Sequence, residues 1–357
     1  MNNNIIKLFP SNWLYNAGVI GFLKVMAFGL GNNLIEIWLN DDGTVDIDRS
    51  VFRDALKFYF EYHTNKYDKG KPPIYGNSYY KNFINPSARE KDERKLGLLV
   101  GSFVNDLEND SSKYQTCSIC GLSLGIKNIS NDLNEFLEMR DIFNTENGPF
   151  GPSFTFPNSF WNLESSLHLC PLCVYLIIHH HLAFEPTKEG EMFINAPSFK
   201  LMWHLNKSTE VLFSTDNLKE ILGIRLIKLS QKINKTLGVW SLMNIEMIVK
   251  SKKEKNKEEI NYYFLPSNIS ALLLNNNIAS LITKANERLI LNMVLEEKFD
   301  ELLELNYRLI RYISTTNKEK LNKTDSYIKD IYNKNSDHVL ELIKILPELY
   351  VKIKEKE

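Results

Sequence analysis

The residues best suited to chemistry are the four cysteines of the chain, Cys117, Cys120, Cys170 and Cys173, which form two CxxC pairs. One CxxC turn presents two thiolates to a single ion, so two such turns supply the four ligands of a tetrahedral Zn²⁺. The spacing therefore predicts a structural zinc site, and four protein ligands leave no open position on the ion for catalysis. The alternatives are reduced thiols in a core or a redox CxxC, although a redox pair usually accompanies a βαβ pattern that this sequence lacks.

Three consecutive histidines, His179, His180 and His181, resemble a metal cluster in composition. Successive residues of a helix point about 100° apart, so three neighbours cannot easily share one ion. We therefore predict an amphipathic helix with exposed imidazoles at this position. His168, two residues before Cys170, is a candidate substitute ligand, although a nearby histidine without a metal role is the simpler interpretation.

Motifs of common enzyme classes are absent from the sequence. It contains no HExxH, no Walker A motif, no GxGxxG after a strand and no GxSxG. It also lacks an acidic cluster beside a histidine of the kind that a metal-dependent nuclease would use. We expect a protein that is not an enzyme; a hydrolase built on His63 or 179–181 is the less favoured alternative.

Hydrophobic periodicity predicts the elements that must position the cysteines. Helical spacing predicts a helix at 13–28, in which Gly18 and Gly21 allow another segment to approach the backbone closely. Alternation predicts strands at 34–39 and 44–47, joined as a β-hairpin. Further predicted elements are helices at 51–62, 96–108 and 174–184, the last of them buried, and short strands or turns at 190–215.

Beyond residue 216 the periodicity is almost entirely helical, interrupted by a charged loop at Lys250–Glu259. The predicted fold class is α+β: a mixed N-terminal domain with a zinc-pinned insertion held by the four cysteines, followed by an α-helical bundle. The predicted domains are a mixed α/β N-terminal domain at 1–115 with a basic loop at 66–95, a zinc-binding CxxC/CxxC segment at 116–174, a connecting region at 175–215 and a helical bundle at 216–357.

Composition limits the partners and the compartment. Hydrophobic residues make up 43% of the 357 residues, which excludes a wholly disordered chain, and 43 Lys and Arg balance 44 Asp and Glu. A net charge of −1 is not that of a histone-like protein, so any nucleic-acid binding must come from local patches. No run of 18 charge-free apolar residues suits a bilayer, and paired CxxC turns are poor disulfide frameworks, so we expect a cytoplasmic protein without a membrane partner.

Two segments are locally basic. Residues 66–95 carry eight Lys or Arg against four Asp or Glu, interleaved with tyrosines, a composition that suits phosphates and unstacked bases. Residues 225–257 carry nine against two, and Arg225, Lys228 and Lys232 recur along a predicted helix that could follow a phosphate backbone. A solvated loop and a solvent-facing helix surface are the competing interpretations.

The opening Asn12–Phe22, which reads W-x-x-N-A-G-x-x-G-F from Trp13, is followed by the two CxxC pairs. Together they resemble the CXXC–CXXC family of CRISPR-associated proteins, the large subunits of type I (I-B or related) Cascade complexes. The resemblance covers 12–26, 117–120 and 170–173, with a compatible helical C-terminus. The chain is short for a large subunit, and its nearly neutral charge predicts weak DNA binding without partner subunits.

The resemblance implies a non-catalytic subunit of an RNA-guided surveillance complex. Its expected partners are guide RNA, target double-stranded DNA, other Cascade subunits and a separate helicase–nuclease that cuts. The large subunit would contact the protospacer-adjacent motif, help to open the duplex and stabilise the R-loop, while base pairing reads the target sequence. The four cysteines correspond to the zinc-type positions of the family.

Residues for motif recognition are nominated from side-chain chemistry alone. Amides and lysines offer hydrogen bonds to base edges and phosphates, and tyrosine offers a stacking surface. The candidates are Asn16, Lys24, Lys71, Asn77, Tyr79 and Lys81. The alternative function is a stand-alone zinc-ribbon regulator, which would share the metal but bind nucleic acid without guide RNA.

Overall fold

The computed structural model divides the chain into two compact units. The first unit comprises Met1–Asn206 and Ile248–Asn261, and the second comprises Lys207–Met247 and Tyr262–Glu357. The described residues are 5–66, 96–97, 99–101, 103–104, 114–120, 123–125, 170–188, 190–207, 217–232, 245–253, 257–315, 328 and 336–356.

Helix α1 (Trp13–Leu30) forms the centre of the first unit. Asn12 caps its N-terminus, because the side-chain oxygen accepts a hydrogen bond from the Tyr15 N–H at 3.0 Å, and Gly31 ends it with φ of 92°. The fully buried side chains of α1 lie on every side of the helix: Ala17, Val19, Ile20, Phe22, Leu23, Val25 and Met26. The helix predicted at 13–28 is therefore confirmed. Because it is apolar on all sides, it requires neighbours on all sides and lies in the core of the unit.

The neighbours of α1 come both from the segments that directly follow it and from distant parts of the sequence. They are helices α2 (Asn32–Trp38), α3 (Val51–Lys66), α4 (Pro171–Ile178), α5 (His180–Ala183) and α6 (Phe199–Leu205). The described residues between 96 and 104 are helical, as predicted. By length and composition α1 could also cross a membrane, but 61% of that stretch is buried inside the protein, as expected for a core helix.

The β-hairpin predicted at 34–47 is wrong in its first strand, and only a single antiparallel bridge, Leu39 to Val45, joins the two predicted segments. Residues 34–39 lie mainly in helix α2, which buries Ile35 and Trp38 three positions apart and leaves Ile37 75% exposed. Strand β2 (Val45–Asp48) forms, but its antiparallel partner is β1 (Ile5–Leu8), with Ile5 opposite Asp48. The alternation of apolar and polar residues in this segment fits a strand, but it also fits a short helix that buries two side chains three positions apart. The sequence alone could not distinguish the two.

The charged loop predicted at Lys250–Glu259 is also corrected. Strands β7 (Glu246–Lys253) and β8 (Lys257–Phe264) occupy this region and complete a four-stranded sheet of order β5–β6–β7–β8, with β5 at Glu185–Pro186 and β6 at Glu191–Asn195. Met247, Ile248 and Val249 are buried, and the Lys250 Nζ lies 3.9 Å from the centre of the Phe184 ring. Burial on an aromatic face lets a lysine occupy a central strand.

The second unit contains a helical C-terminal region, in agreement with the coarse prediction. Its described helices include α7 (Leu218–Lys232), α8 (Ser267–Leu273), α9 (Asn276–Ala285), α10 (Arg288–Leu295), α11 (Asp300–Ser314) and α12 (Ser336–Lys354). Helix α12 packs against α9 and α11, and the buried carboxylate of Glu220 on α7 is paired with Arg288 at 2.8 Å. The mixture of helix and strand expected of an α+β protein is present.

Candidate metal centre

The two CxxC pairs meet in the first unit, as their spacing predicts. The four Sγ atoms of Cys117, Cys120, Cys170 and Cys173 all lie within 4.8 Å of one another. Cys117, Cys170 and Cys173 are buried and Cys120 is half-buried. Within the described part of the chain, this is the one group of His, Cys, Asp and Glu side chains close enough to share an ion.

The first pair lies on a turn that we call the knuckle, residues 117–120. The knuckle directly follows strand β3 (Tyr114–Thr116), which pairs antiparallel with β4 (Ser123–Gly125), Thr116 lying opposite Ser123. The strand pair fixes where the knuckle begins, and the turn then directs both thiols to the same side. A second support comes from Ser11, whose hydroxyl donates to the Ile119 carbonyl at 3.2 Å.

The second pair begins helix α4. Cys170 is the N-cap residue, and its Sγ accepts a hydrogen bond from the Cys173 N–H at 3.3 Å. Pro171 occupies the first turn, where its missing N–H costs nothing. The Cys170 N–H donates in turn to the Cys117 Sγ at 3.4 Å, which connects the two pairs. Backbone donors and the positive end of a helix both favour the thiolate form, which is the form that binds metal.

The sulfur positions fit a tetrahedral ion. A Zn–S bond of about 2.3 Å places the sulfurs of a regular tetrahedron about 3.8 Å apart. The Cys120 and Cys170 Sγ atoms are 3.8 Å apart. This distance is far longer than the ~2.0 Å of a disulfide, and none of the four cysteines forms a disulfide. The arrangement can therefore hold a metal ion with four sulfur ligands.

When no cation is present, the electrostatics of the cluster favour a thiolate at Cys117 and thiols at Cys170 and Cys173. Hydrogen bonds from Cys120, Cys170 and Cys173 hold the pKa of Cys117 far below its ordinary value. The pKa values of Cys170 and Cys173 are raised, chiefly by their hydrogen bonds to the other cysteines and further by burial. A bound divalent cation would allow all four cysteines to ionise together, because its charge stabilises the four thiolates.

The prediction of exposed imidazoles at 179–181 is wrong. His179, His180 and His181 are 0%, 2% and 7% exposed. The Nδ1 atoms of His179 and His180 lie 2.9 Å and 3.0 Å from the carbonyl oxygens of Tyr175 and Ile177. The short helix α5 packs against α1, so these histidines are core residues. His168 and the side chain of His63 lie outside the described residues.

Asn16 does not lie where a base could reach it, which corrects its nomination as a nucleic-acid contact. It is 1% exposed, and its amide bonds both backbone groups of Ser11 and the Asn195 side chain, each at 2.8 Å. Lys24 is also largely buried: it forms an ion pair with Glu185 and donates to the Ala183 carbonyl at 3.0 Å. Both side chains therefore form interactions inside the core of the first unit.

The remaining nominated residues stay predictions. Arg225 and Lys228 are half-buried on α7, three positions apart and therefore on one face. Lys232 is the last residue of α7, and its side chain lies outside the described residues. Lys71, Asn77, Tyr79 and Lys81 also lie outside the described residues.

Two structural residues were not found by sequence reasoning. The ammonium group of Lys66 donates to the carbonyl oxygens of Leu182 at 2.7 Å and Phe184 at 2.6 Å, and so completes the C-terminal end of α5. Ser11 supports the knuckle from 108 positions away in the sequence. Neither residue has a local sequence signal, because both act through contacts across the fold.

The chain was compared with protein-family models, with curated proteins and with solved structures, and none of them matches it.

Proposed function

We propose that the four cysteines hold a structural Zn²⁺ and that the protein is the non-catalytic large subunit of a type I RNA-guided surveillance complex. The observation that carries the proposal is the packing of the family-like opening 12–22 against the helix that begins at the second CxxC pair. A Cβ added at Gly18 would lie 2.5 Å from the Leu176 carbonyl oxygen. The two sequence features on which the resemblance rests are therefore parts of one packed unit.

The proposed ion has a structural role. When bound, Zn²⁺ would cross-link the knuckle to the N-terminus of α4, and four thiolates would leave it no position for a substrate. Among the described residues, no other group of three or more His, Cys, Asp or Glu side chains lies close enough to share an ion. An assembly and recognition role, with cutting left to a separate helicase–nuclease, agrees with such a closed site.

The proposed partners are guide RNA, target double-stranded DNA and other subunits of the complex, in the cytoplasm. In this role the protein contacts the protospacer-adjacent motif, helps to open the duplex and stabilises the R-loop. With Asn16 and Lys24 buried in the core, the candidates for DNA contact are Lys71, Asn77, Tyr79 and Lys81 in the basic segment 66–95, and Arg225, Lys228 and Lys232 on α7.

The decisive experiment is co-purification from cells that express the tagged protein together with its neighbouring genes. We expect uniform RNAs of about one repeat–spacer unit, the other subunits, and about one zinc per copy of this chain. Cys120→Ser should lower the zinc content, whereas Ser118→Ala, in the same turn, should not. Zinc without RNA or partner proteins, but with direct binding to nucleic acid, would favour the stand-alone regulator instead.

The basic segment is tested in the same purified complex. Lys71→Ala combined with Lys81→Ala should weaken target-DNA binding and reduce its salt dependence, because each phosphate contact contributes to the slope. Lys298→Ala, at an exposed lysine paired with Glu296, is the matched control. Affinity and salt slope equal to those of the control would remove the segment from the DNA interface.

A further inference from the structure

The buried amide of Asn16 fixes the segment that precedes α1. Its Oδ1 accepts the Ser11 N–H and its Nδ2 donates to the Ser11 carbonyl, each at 2.8 Å, so a single side chain satisfies both backbone groups of Ser11. The same Nδ2 donates to the Asn195 Oδ1 at 2.8 Å, at the end of strand β6. Ser11 is therefore held at a fixed position relative to both α1 and the sheet.

Ser11 also connects the segment before α1 to the metal centre. Its backbone is bound by Asn16, and its hydroxyl donates to the carbonyl oxygen of Ile119 at 3.2 Å. Ile119 lies inside the knuckle, between Cys117 and Cys120, so the bond determines the orientation of a peptide that links two ligands. Cys120 is the least buried of the four cysteines, and this side of the centre is the one that solvent can reach.

We propose that Asn16 and Ser11 are positioning residues of the metal centre: Asn16 fixes Ser11, and Ser11 holds the knuckle so that Cys120 stays on the ion. Groups that orient metal ligands contribute to metal retention without touching the metal. A ligand that dissociates from a preorganised turn rebinds quickly, whereas one on a mobile turn gives a competing chelator time to act. The inference rests on the proposed metal occupancy.

The test measures metal release from the zinc-loaded full-length protein to an excess of a chromophoric chelator. Ser11→Ala removes one hydroxyl from an exposed side chain and should accelerate release about threefold to tenfold, the range that one net hydrogen bond allows. Ser11→Thr keeps the hydroxyl and should release zinc at the wild-type rate. Because Ser11 is exposed, both variants should fold.

Asn16→Ala has a closely matched control in Asn206→Ala. Asn206 is 0% exposed and also makes three amide hydrogen bonds, to the N–H and carbonyl of Ile194 and to the Met202 carbonyl. Both substitutions should lower the melting temperature, but only Asn16→Ala should accelerate zinc release at a temperature where both variants remain folded.

The outcomes separate the inference from the proposed function. Release at the wild-type rate from Ser11→Ala, or equal acceleration by Asn16→Ala and Asn206→Ala, would overturn the positioning role while leaving the metal centre intact. Wild-type protein that binds neither Zn²⁺ nor Co²⁺ through thiolates would overturn the metal centre and the inference with it. Thiolate-to-Co²⁺ absorption in the wild type and in Ser11→Thr, together with fast exchange in Ser11→Ala, would support both.

Discussion

Gly21 of helix α1 lies directly against the backbone carbonyl of His179. A Cβ added at position 21 would overlap the carbonyl oxygen of His179 and lie 2.8 Å from its carbonyl carbon. Gly18 makes the equivalent approach to Leu176, one turn earlier. Both carbonyls belong to the segment that begins at Cys170, so two glycines set the distance between the central helix and the helix capped by a metal ligand.

Gly21→Ala should therefore destabilise the first unit by about 3 kcal/mol, because neither backbone can move without disturbing a fully packed core. Urea unfolding followed by circular dichroism measures this loss. Gly97→Ala is the matched control: position 97 is helical and has open space around an added Cβ, so stability should be unchanged or slightly higher. Wild-type stability in Gly21→Ala would mean that the two helices are not packed as closely as described.

Features encoded by local chemistry were predictable from the sequence. The type and spacing of the four cysteines predicted that they would meet at one site, and the apolar residues and glycines of α1 predicted a packed helix with a close neighbour. The neighbour itself could not be identified, because α4 and α5 follow α1 by about 140 positions and nothing in either segment specifies the other.

Features that depend on a distant partner were missed. Three adjacent histidines look polar in sequence, but the packing of α5 against α1 buries them. The charges around Lys250 predicted a loop, because nothing in the local sequence indicates that its ammonium group packs on the Phe184 ring. An amide such as that of Asn16 can bind either a base edge or the groups of its own protein. Only the structure shows that Asn16 forms its hydrogen bonds with Ser11 and Asn195.

Removal of the metal should loosen the two segments that it joins. With the ion extracted by a chelator under reducing conditions, Cys170 and Cys173 take up protons and the link between the knuckle and α4 is lost. Hydrogen–deuterium exchange should then increase in 114–125 and 170–178. Residues 276–295, in the core of the second unit, are the internal control and should be unaffected. Unchanged protection of the first two segments would show that the centre does not need an ion.

Lys24→Ala should lower stability rather than DNA affinity. The Lys24 and Glu185 side chains are only 11% and 20% exposed, so removing the lysine leaves a largely buried carboxylate without its partner, at a cost of about 3 kcal/mol. A double-mutant cycle with Glu185→Gln measures the coupling. Lys7→Ala breaks an exposed ion pair with Asp42 and should cause no measurable loss. Target-DNA affinity per folded molecule should remain at the wild-type value; a specific loss of affinity would restore Lys24 as a DNA contact.

His179 should make the first unit sensitive to acid. Its Nδ1 faces the Tyr175 carbonyl, which can only accept, so Nδ1 carries the proton and a second proton must go to Nε2. Nε2 is buried and has no hydrogen-bond partner among the described residues. Burial therefore lowers the pKa of His179 from 6.5 to about 4. Between these pH values the unfolded chain binds more protons than the folded protein, so stability falls as the pH drops from about 6.5 to 4, by about 3 kcal/mol from this group.

The difference between wild-type protein and His179→Gln isolates this contribution, since glutamine does not titrate. The pKa of His180 is also lowered, mainly by burial, so the variant should keep part of the acid sensitivity. The two curves of unfolding free energy against pH should therefore converge from pH 6.5 towards pH 4. His338→Gln, at a half-buried histidine of the second unit, leaves His179 in place and should keep the wild-type slope of the first unit. Parallel curves for wild type and His179→Gln down to pH 4 would show that the folded protein accommodates a charged imidazole at position 179.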